Sequence, residues 1–337
     1  MKPAVLALAL SAAASCAAAD DPGLKITMMH MPHHDAETRL AIWYPAEGNN
    51  ALTLYADSPV FQGVEAAVDA PVGQGKFPVV LFSHGMGGTD RAQAWLASAL
   101  ADRGAIVVMV NHPHSTWGDF DMSVGIQHWT RAADLSSALD QLEADPVFGP
   151  HIDASRIMAA GFSYGGWTAL SLGGLTGNLA GAVKACIAQR ASMKVCDMML
   201  SDEVGLQTQD PALWNASYAD PRVTRVAAID PGFVWGLEKK NTADLRPRPL
   251  MIGLGGDDTW MLDTNFVASG LSGLLPDAQI VRMDPAFHFS AMPLCTPKAV
   301  AILEAENDDP VCSDPPGTER AAVHSAIIEA ISAALGL

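Results

Sequence analysis

At 337 residues, 49% of them hydrophobic and only 17% charged, the chain can bury a sizeable core, as one large α/β domain or as two smaller ones. Its 20 basic against 37 acidic residues give a formal net charge of −17, which leaves no basic stripe to displace counterions and excludes nucleic acid as a partner. No internal repeat or low-complexity tract is present.

Met1-Lys2-Pro3 precedes an apolar stretch, Ala4 to Ala14, that is too short to cross a membrane as a helix and reads as a secretory signal. Ala17-Ala18-Ala19 before Asp20 offers a small-residue cleavage site, predicting a signal peptide over 1–19 and an exported chain, periplasmic or secreted, over 20–337. Lipidation at Cys16 is the less favoured alternative, because Ala13 stands where a larger aliphatic residue is expected. No later segment is apolar for long enough to be a transmembrane span.

Residues 24–44 alternate loosely, as antiparallel strands do, and run into Trp43-Tyr44-Pro45. Phe77 to Phe82 is a continuous apolar run, the pattern of a strand buried on both faces of a parallel sheet. It ends in Ser83-His84-Gly85-Met86-Gly87-Gly88. Asp90 can then cap a helix with Ala92, Trp95, Leu96, Ala99 and Leu100 on one face, which Gly104 stops. A strand follows at 105–110, then a polar and aromatic loop to Gln127, then a helix with Leu135, Ala138, Leu139 and Leu142 on one side. Ser155 to Ala160 forms the next strand and Gly166 to Leu172 the next helix, with Gly161-Phe162-Ser163-Tyr164-Gly165-Gly166 between them. Residues 173–221 break the rhythm and are too long for an ordinary connection, which predicts an inserted cap. Alternation resumes with Val226 to Ile229, Leu250 to Gly253, a helix around Phe266, Leu271 and Leu275, a strand at 278–283 and a terminal helix spacing Val323, Ile327, Ile331 and Leu335 by four. The expected fold class is α/β: a single domain with a mostly parallel central sheet, helices on both faces, a small cap, and ligands at the carboxyl ends of the strands.

A serine on a tight strand-to-helix turn needs glycine neighbours, and that context makes Ser163 the candidate nucleophile. Its hydroxyl is a weak nucleophile until a base takes the proton. Among ten histidines, His288 is best placed, in the loop after the last strand. His324 is expected to lie solvated on the terminal helix, and His112 and His114 to be structural or substrate-facing. For the acid that fixes the imidazole, Asp258 is preferred for the chain order Ser, Asp, His, with Asp230 and then Asp257 as alternatives. The amides of Met86 and Tyr164 are the expected oxyanion donors. Trp117, Trp129, Trp214, Trp235 and Trp260, with Met122 and Met261, either line an apolar substrate mouth or fill the cap's own core.

Cys186, Cys196, Cys295 and Cys312 remain after export, an even number that predicts two disulfides. Pairing Cys186 with Cys196 and Cys295 with Cys312 closes the shorter loops. No C-x-x-C spacing suggests a zinc site, and no metal or organic cofactor is called for.

Trp43-Tyr44-Pro45, the stretch from Gly75 to Gly85, the Gly-Phe-Ser-Tyr-Gly-Gly turn and His288-Phe289-Ser290 together resemble the α/β-hydrolase family of platelet-activating factor acetylhydrolases and the bacterial dienelactone-hydrolase-like proteins. The resemblance runs over nearly the whole chain after the signal. It implies an α/β-hydrolase fold, Ser163 as nucleophile, His288 as base, and Met86 and Tyr164 amides as oxyanion hole. The acetylhydrolase pattern implies Asp230 as acid, the dienelactone-like pattern Asp258. A serine where dienelactone hydrolases proper carry cysteine speaks against lactone chemistry. The expectation is therefore an exported serine carboxylic-ester hydrolase acting on a small-molecule short-acyl, lipid or aromatic ester. Its alternatives are a peptide or amide hydrolase on the same triad and a non-catalytic exported binding protein; no motif speaks to oligomeric state.

Overall fold

The computed structural model describes residues 21–245 and 247–337, so the signal peptide expected over 1–19 and Cys16 lie outside the described residues. The chain opens with the antiparallel pair β1 (Pro22–Met31) and β2 (Ala36–Pro45), followed by the short strands β3 (Thr53–Tyr55) and β4 (Val64–Val68). Next come β5 (Phe77–Ser83), α1 (Ala94–Asp102), β6 (Ile106–Val110), a two-residue hairpin of β7 (Ser115–Thr116) and β8 (Asp119–Phe120), α2 (Met122–Gly125) and α3 (His128–Ala144). β9 (Ile152–Phe162) runs into α4 (Tyr164–Leu172). α5 (Leu179–Gln189), α6 (Cys196–Met199) and α7 (Pro211–Trp214) occupy the segment expected as a cap. The chain closes with β10 (Arg225–Ile229), β11 (Leu250–Leu254), α8 (Leu271–Leu274), β12 (Gln279–Met283), α9 (Ala299–Glu306) and α10 (Arg320–Leu335).

Among the described residues the main sheet has ten strands in the order β12-β11-β10-β9-β5-β6-β2-β1-β4-β3. The six from β12 to β6 are mutually parallel, and β2 joins β6 antiparallel. The continuous apolar runs have a direct cause. Val79 and Leu81 of β5 enter one core with Leu135, Leu139 and Leu142 of α3, while Val80 and Phe82 enter the other with Trp95 and Leu100 of α1 and Ile327 and Ile331 of α10. A strand covered by helices on both sides has no polar face to show.

The cap segment has no separate core. Met193, Met199, Leu206 and Trp214 bury themselves in the same cluster as α3 and α4. Disulfides join Cys186 to Cys196 and Cys295 to Cys312, the pairing that short loop closure favoured.

Three local expectations need correction. Asp90 does not cap α1, whose first turn follows Gln93; its carboxylate instead accepts from Arg39 Nε at 3.2 Å and from the Tyr55 hydroxyl, tying β2 to β3. The helix around Phe266 shrinks to α8, with Phe266 buried in the turns before it. His324 is not solvated. It stacks on Trp95 with ring centroids 3.7 Å apart, donates from Nε2 to the Met292 carbonyl at 2.9 Å, and burial pushes its pKa down to about 4.

Candidate active site

Ser163 sits between β9 and α4 at φ 57°, a left-handed backbone that a non-glycine residue holds only when its surroundings impose it. They do so through close contact. Any Cβ at Gly165 would run into the Ser83 carbonyl, and one at Gly161 into the Gly165 carbonyl, so both glycines are required by space. The Ser163 amide donates to Ile229 at 2.9 Å, and Gly232 N–H donates to the Ser163 carbonyl at 2.9 Å, clamping the turn against the end of β10.

Neighbouring strand ends then deliver the partners. His288 follows β12, and its Nε2 accepts from the Ser163 hydroxyl at 3.1 Å. Its Nδ1 donates to Asp230 Oδ2 at 2.6 Å. The imidazole is buried and stacked on Phe162, centroids 4.7 Å apart, so its plane is set by packing as well as by hydrogen bonds. Asp230, rather than Asp258 or Asp257, meets the ring. Asp230 ends β10, next to the strand that carries Ser163, whereas Asp258 is exposed one strand further out and Asp257 pairs with Arg282 on the surface at 2.7 Å. Asp230 is fully buried, and four donors hold it. Trp260 Nε1 (2.7 Å) and the Leu254 amide (3.0 Å) reach Oδ1, while Thr264 Oγ1 (2.7 Å) shares Oδ2 with His288.

The loop after β5 completes the arrangement. Gly85 lies so close to the turn that a Cβ there would be 3.3 Å from Ser163 Cβ. Among the described residues neither the Met86 nor the Tyr164 amide has a protein acceptor, which leaves two donors open beside the serine.

Beneath that loop lies a buried polar network that no sequence motif announced. Arg131 of α3 donates to the Ser83 hydroxyl at 3.0 Å, to the Ser115 hydroxyl, to the His84 carbonyl and to Thr168 Oγ1 at 3.2 Å, and its guanidinium lies 4.3 Å over the Tyr164 ring. Burial lowers its pKa to about 10, still a cation at neutral pH. His112 receives the Ser83 hydroxyl on Nε2 at 2.9 Å and donates from Nδ1 to Asp134 at 2.7 Å. Burial first, and Arg131 second, push His112 down to about 4, so it is a neutral structural ring. Burial also drives His84 well below the ordinary imidazole range. Charged residues in a helix interior are common, so Arg131 carried no signal that it would turn inward.

The tryptophans divide. Trp214 is buried in the core and Trp260 is occupied with Asp230, so neither lines a mouth. Trp235 is half-buried and donates to the Leu262 carbonyl at 2.7 Å, Trp129 is half-buried, and Trp117 is 80% exposed on the β7–β8 hairpin. Met122 is buried. A surface depression of about 660 Å³ lined by Leu179, Val183, Ile187 and Pro211 touches none of Ser163, Asp230 or His288.

The family model of platelet-activating factor acetylhydrolase, isoform II, matches residues 55–117, the segment that contains β5 and the loop beside the serine. No curated protein matches the chain in sequence. Among solved structures, a ferulic acid esterase from Streptomyces cinnamoneus is similar at 17% identity and TM-score 0.61, over 96% of this chain and 91% of its own. The structure m3DLH is similar at 14% identity and TM-score 0.52, over 93% and 98%. A dienelactone hydrolase from Anabaena variabilis aligns at 14% identity and TM-score 0.47, over 93% and 99%. The chain thus has the α/β-hydrolase fold and, along the segment that carries the loop after β5, resembles the platelet-activating factor acetylhydrolases.

Proposed function

We propose that the protein is a serine carboxylic-ester hydrolase working through Ser163, His288 and Asp230. The observation that carries this reading is the continuous line from the Ser163 hydroxyl to His288 Nε2 (3.1 Å) and from Nδ1 to Asp230 (2.6 Å) beside two open amides. Ser163 Oγ attacks the ester carbonyl carbon while its proton passes to Nε2. The carbonyl oxygen becomes an oxyanion facing the Met86 and Tyr164 N–H groups, each such donor being worth about 3 kcal/mol of barrier. The Asp230 carboxylate holds the ring by Nδ1 and stabilises the imidazolium. The intermediate collapses, the leaving alkoxide takes the proton from Nε2, and an acyl-serine remains. Water, giving its proton to the same nitrogen, attacks the acyl carbon; release of the acid returns that proton to Ser163. The likeness to a ferulic acid esterase and to the acetylhydrolase family favours a short-acyl, lipid or aromatic ester over an amide. Two disulfides favour an oxidising, extracytoplasmic compartment.

A fluorophosphonate probe is expected to label Ser163 in the wild type and to leave Ser163→Ala unlabelled, with p-nitrophenyl acetate hydrolysis lost in parallel. A wild type that neither labels nor cleaves any ester of a broad panel removes the reading, and faster turnover of aminoacyl anilides than of esters would move it to amide hydrolysis.

A further inference from the structure

We propose that His33, His34 and Asp134 form a binding site for one divalent transition metal ion of the zinc class, where the turn between β1 and β2 meets α3. His33 Nε2 lies 2.7 Å from Asp134 Oδ1. His34 Nε2 approaches the same oxygen to 3.2 Å but off the hydrogen-bonding line, and it has no partner among the described residues although its side chain is only 6% exposed. A buried ring nitrogen left unpaired beside a carboxylate is unusual in a folded chain and points to a missing ligand. The three donor atoms lie within 4.8 Å of one another. Zinc bonds of about 2.0–2.2 Å place ligands about 3.3 Å apart at the corners of a tetrahedron, so a small outward shift of two rings on a turn seats the ion.

The donor set selects the metal. Two imidazole nitrogens and one carboxylate oxygen, with solvent in the fourth position, suit zinc and its neighbours and not calcium or magnesium, which prefer oxygen alone. The second carboxylate oxygen is already held by His112 Nδ1 at 2.7 Å, the kind of outer contact that orients a metal-binding group. His33, 26% exposed at its side chain, leaves a way in for the ion and its water. The ion would pin the β1–β2 turn to α3. Through Asp134, His112 and Ser83 it would also brace the end of β5 beneath the loop beside the nucleophile, so its role is structural and independent of the hydrolytic reading.

The test uses the tag-free full-length protein, stripped with chelator and titrated with zinc chloride by calorimetry and with cobalt chloride by visible absorption, at about pH 7.5 because ligation competes with protons. The expected result is one equivalent bound, the cobalt bands of a four-coordinate site, and a melting temperature raised by zinc. His33→Ala and His34→Ala should each weaken binding by at least about tenfold while keeping the metal-free circular dichroism spectrum. Absence of binding to the wild type overturns the proposal, as does binding that neither substitution weakens.

Discussion

Asp230→Asn is the substitution that tests the site most sharply, because the four donors around the carboxylate leave an amide group nowhere to go. If the new NH₂ takes the Oδ1 position, it faces the Trp260 N–H and the Leu254 amide, both fixed donors. If it takes the Oδ2 position, it faces Thr264, whose hydroxyl can rotate toward the Met261 carbonyl at 3.3 Å, and His288 Nδ1. The second arrangement costs less, so it should prevail. Nδ1 must then accept, which moves the ring proton to Nε2 and turns it toward Ser163 Oγ, where it blocks proton transfer. A wrong tautomer in this position is worth about 10⁴ in kcat, or about 5.5 kcal/mol of barrier. The assay is p-nitrophenyl acetate hydrolysis, with a thermal melt to show that the variant is folded. Asp258→Asn, at an exposed position, should leave kcat within about twofold. If Asp258→Asn lost activity on the scale expected of Asp230→Asn, while Asp230→Asn kept it, the assignment of the acid and the tautomer argument would both fall.

Other outcomes follow from the same contacts. Gly165→Ala should destabilise by about 3 kcal/mol or more and abolish ester hydrolysis, since its methyl meets the Ser83 backbone, which cannot swing away; an unchanged urea midpoint would contradict the clamp. Arg131→Met strands buried acceptors at the Ser83, Ser115 and Thr168 hydroxyls and the His84 carbonyl, a loss of about 3–5 kcal/mol by urea melting together with lower kcat from a loosened loop. Burial holds His128, which donates to the Trp214 carbonyl at 3.1 Å, at a pKa of about 4, below the value of about 6.5 in the unfolded chain. Between those values the unfolded chain takes a proton that the native chain refuses, so stability present above about pH 6.5 is lost as pH falls toward about 4, by roughly 3 kcal/mol from this residue. In His128→Gln the drop between urea melts at about pH 7 and about pH 4.5 should shrink; an unchanged drop would mean that the ring is charged in the native state.

What could be read along the chain was whatever depends on near neighbours. The turn at Ser163 announces itself as a glycine-flanked serine between a strand run and a helix run, although the carbonyl that makes Gly165 obligatory, that of Ser83, lies on β5; the parallel strands announce themselves because burial on both faces removes every polar residue from runs such as Phe77 to Phe82. The terminal helix was legible for the same reason, down to its buried Val323, Ile327, Ile331 and Leu335. His324, one residue from that stripe, was misread because the residue that covers it, Trp95, comes from a helix more than two hundred residues earlier.

The sequence by itself therefore determined the fold class and the serine turn, both legible in patterns of neighbouring residues, and favoured without fixing the pairing of cysteines at short separation. Only the tertiary structure decided which carboxylate meets His288. Adjacent strands stand about 4.8 Å apart, so the strand order, which places β10 directly beside β9, puts Asp230 within reach and leaves Asp258 in solvent. It also decided that Arg131 and Asp134 turn inward, because a buried charge is tolerable only when partners from distant segments converge on it, and that convergence has no trace in the spacing of residues along the chain.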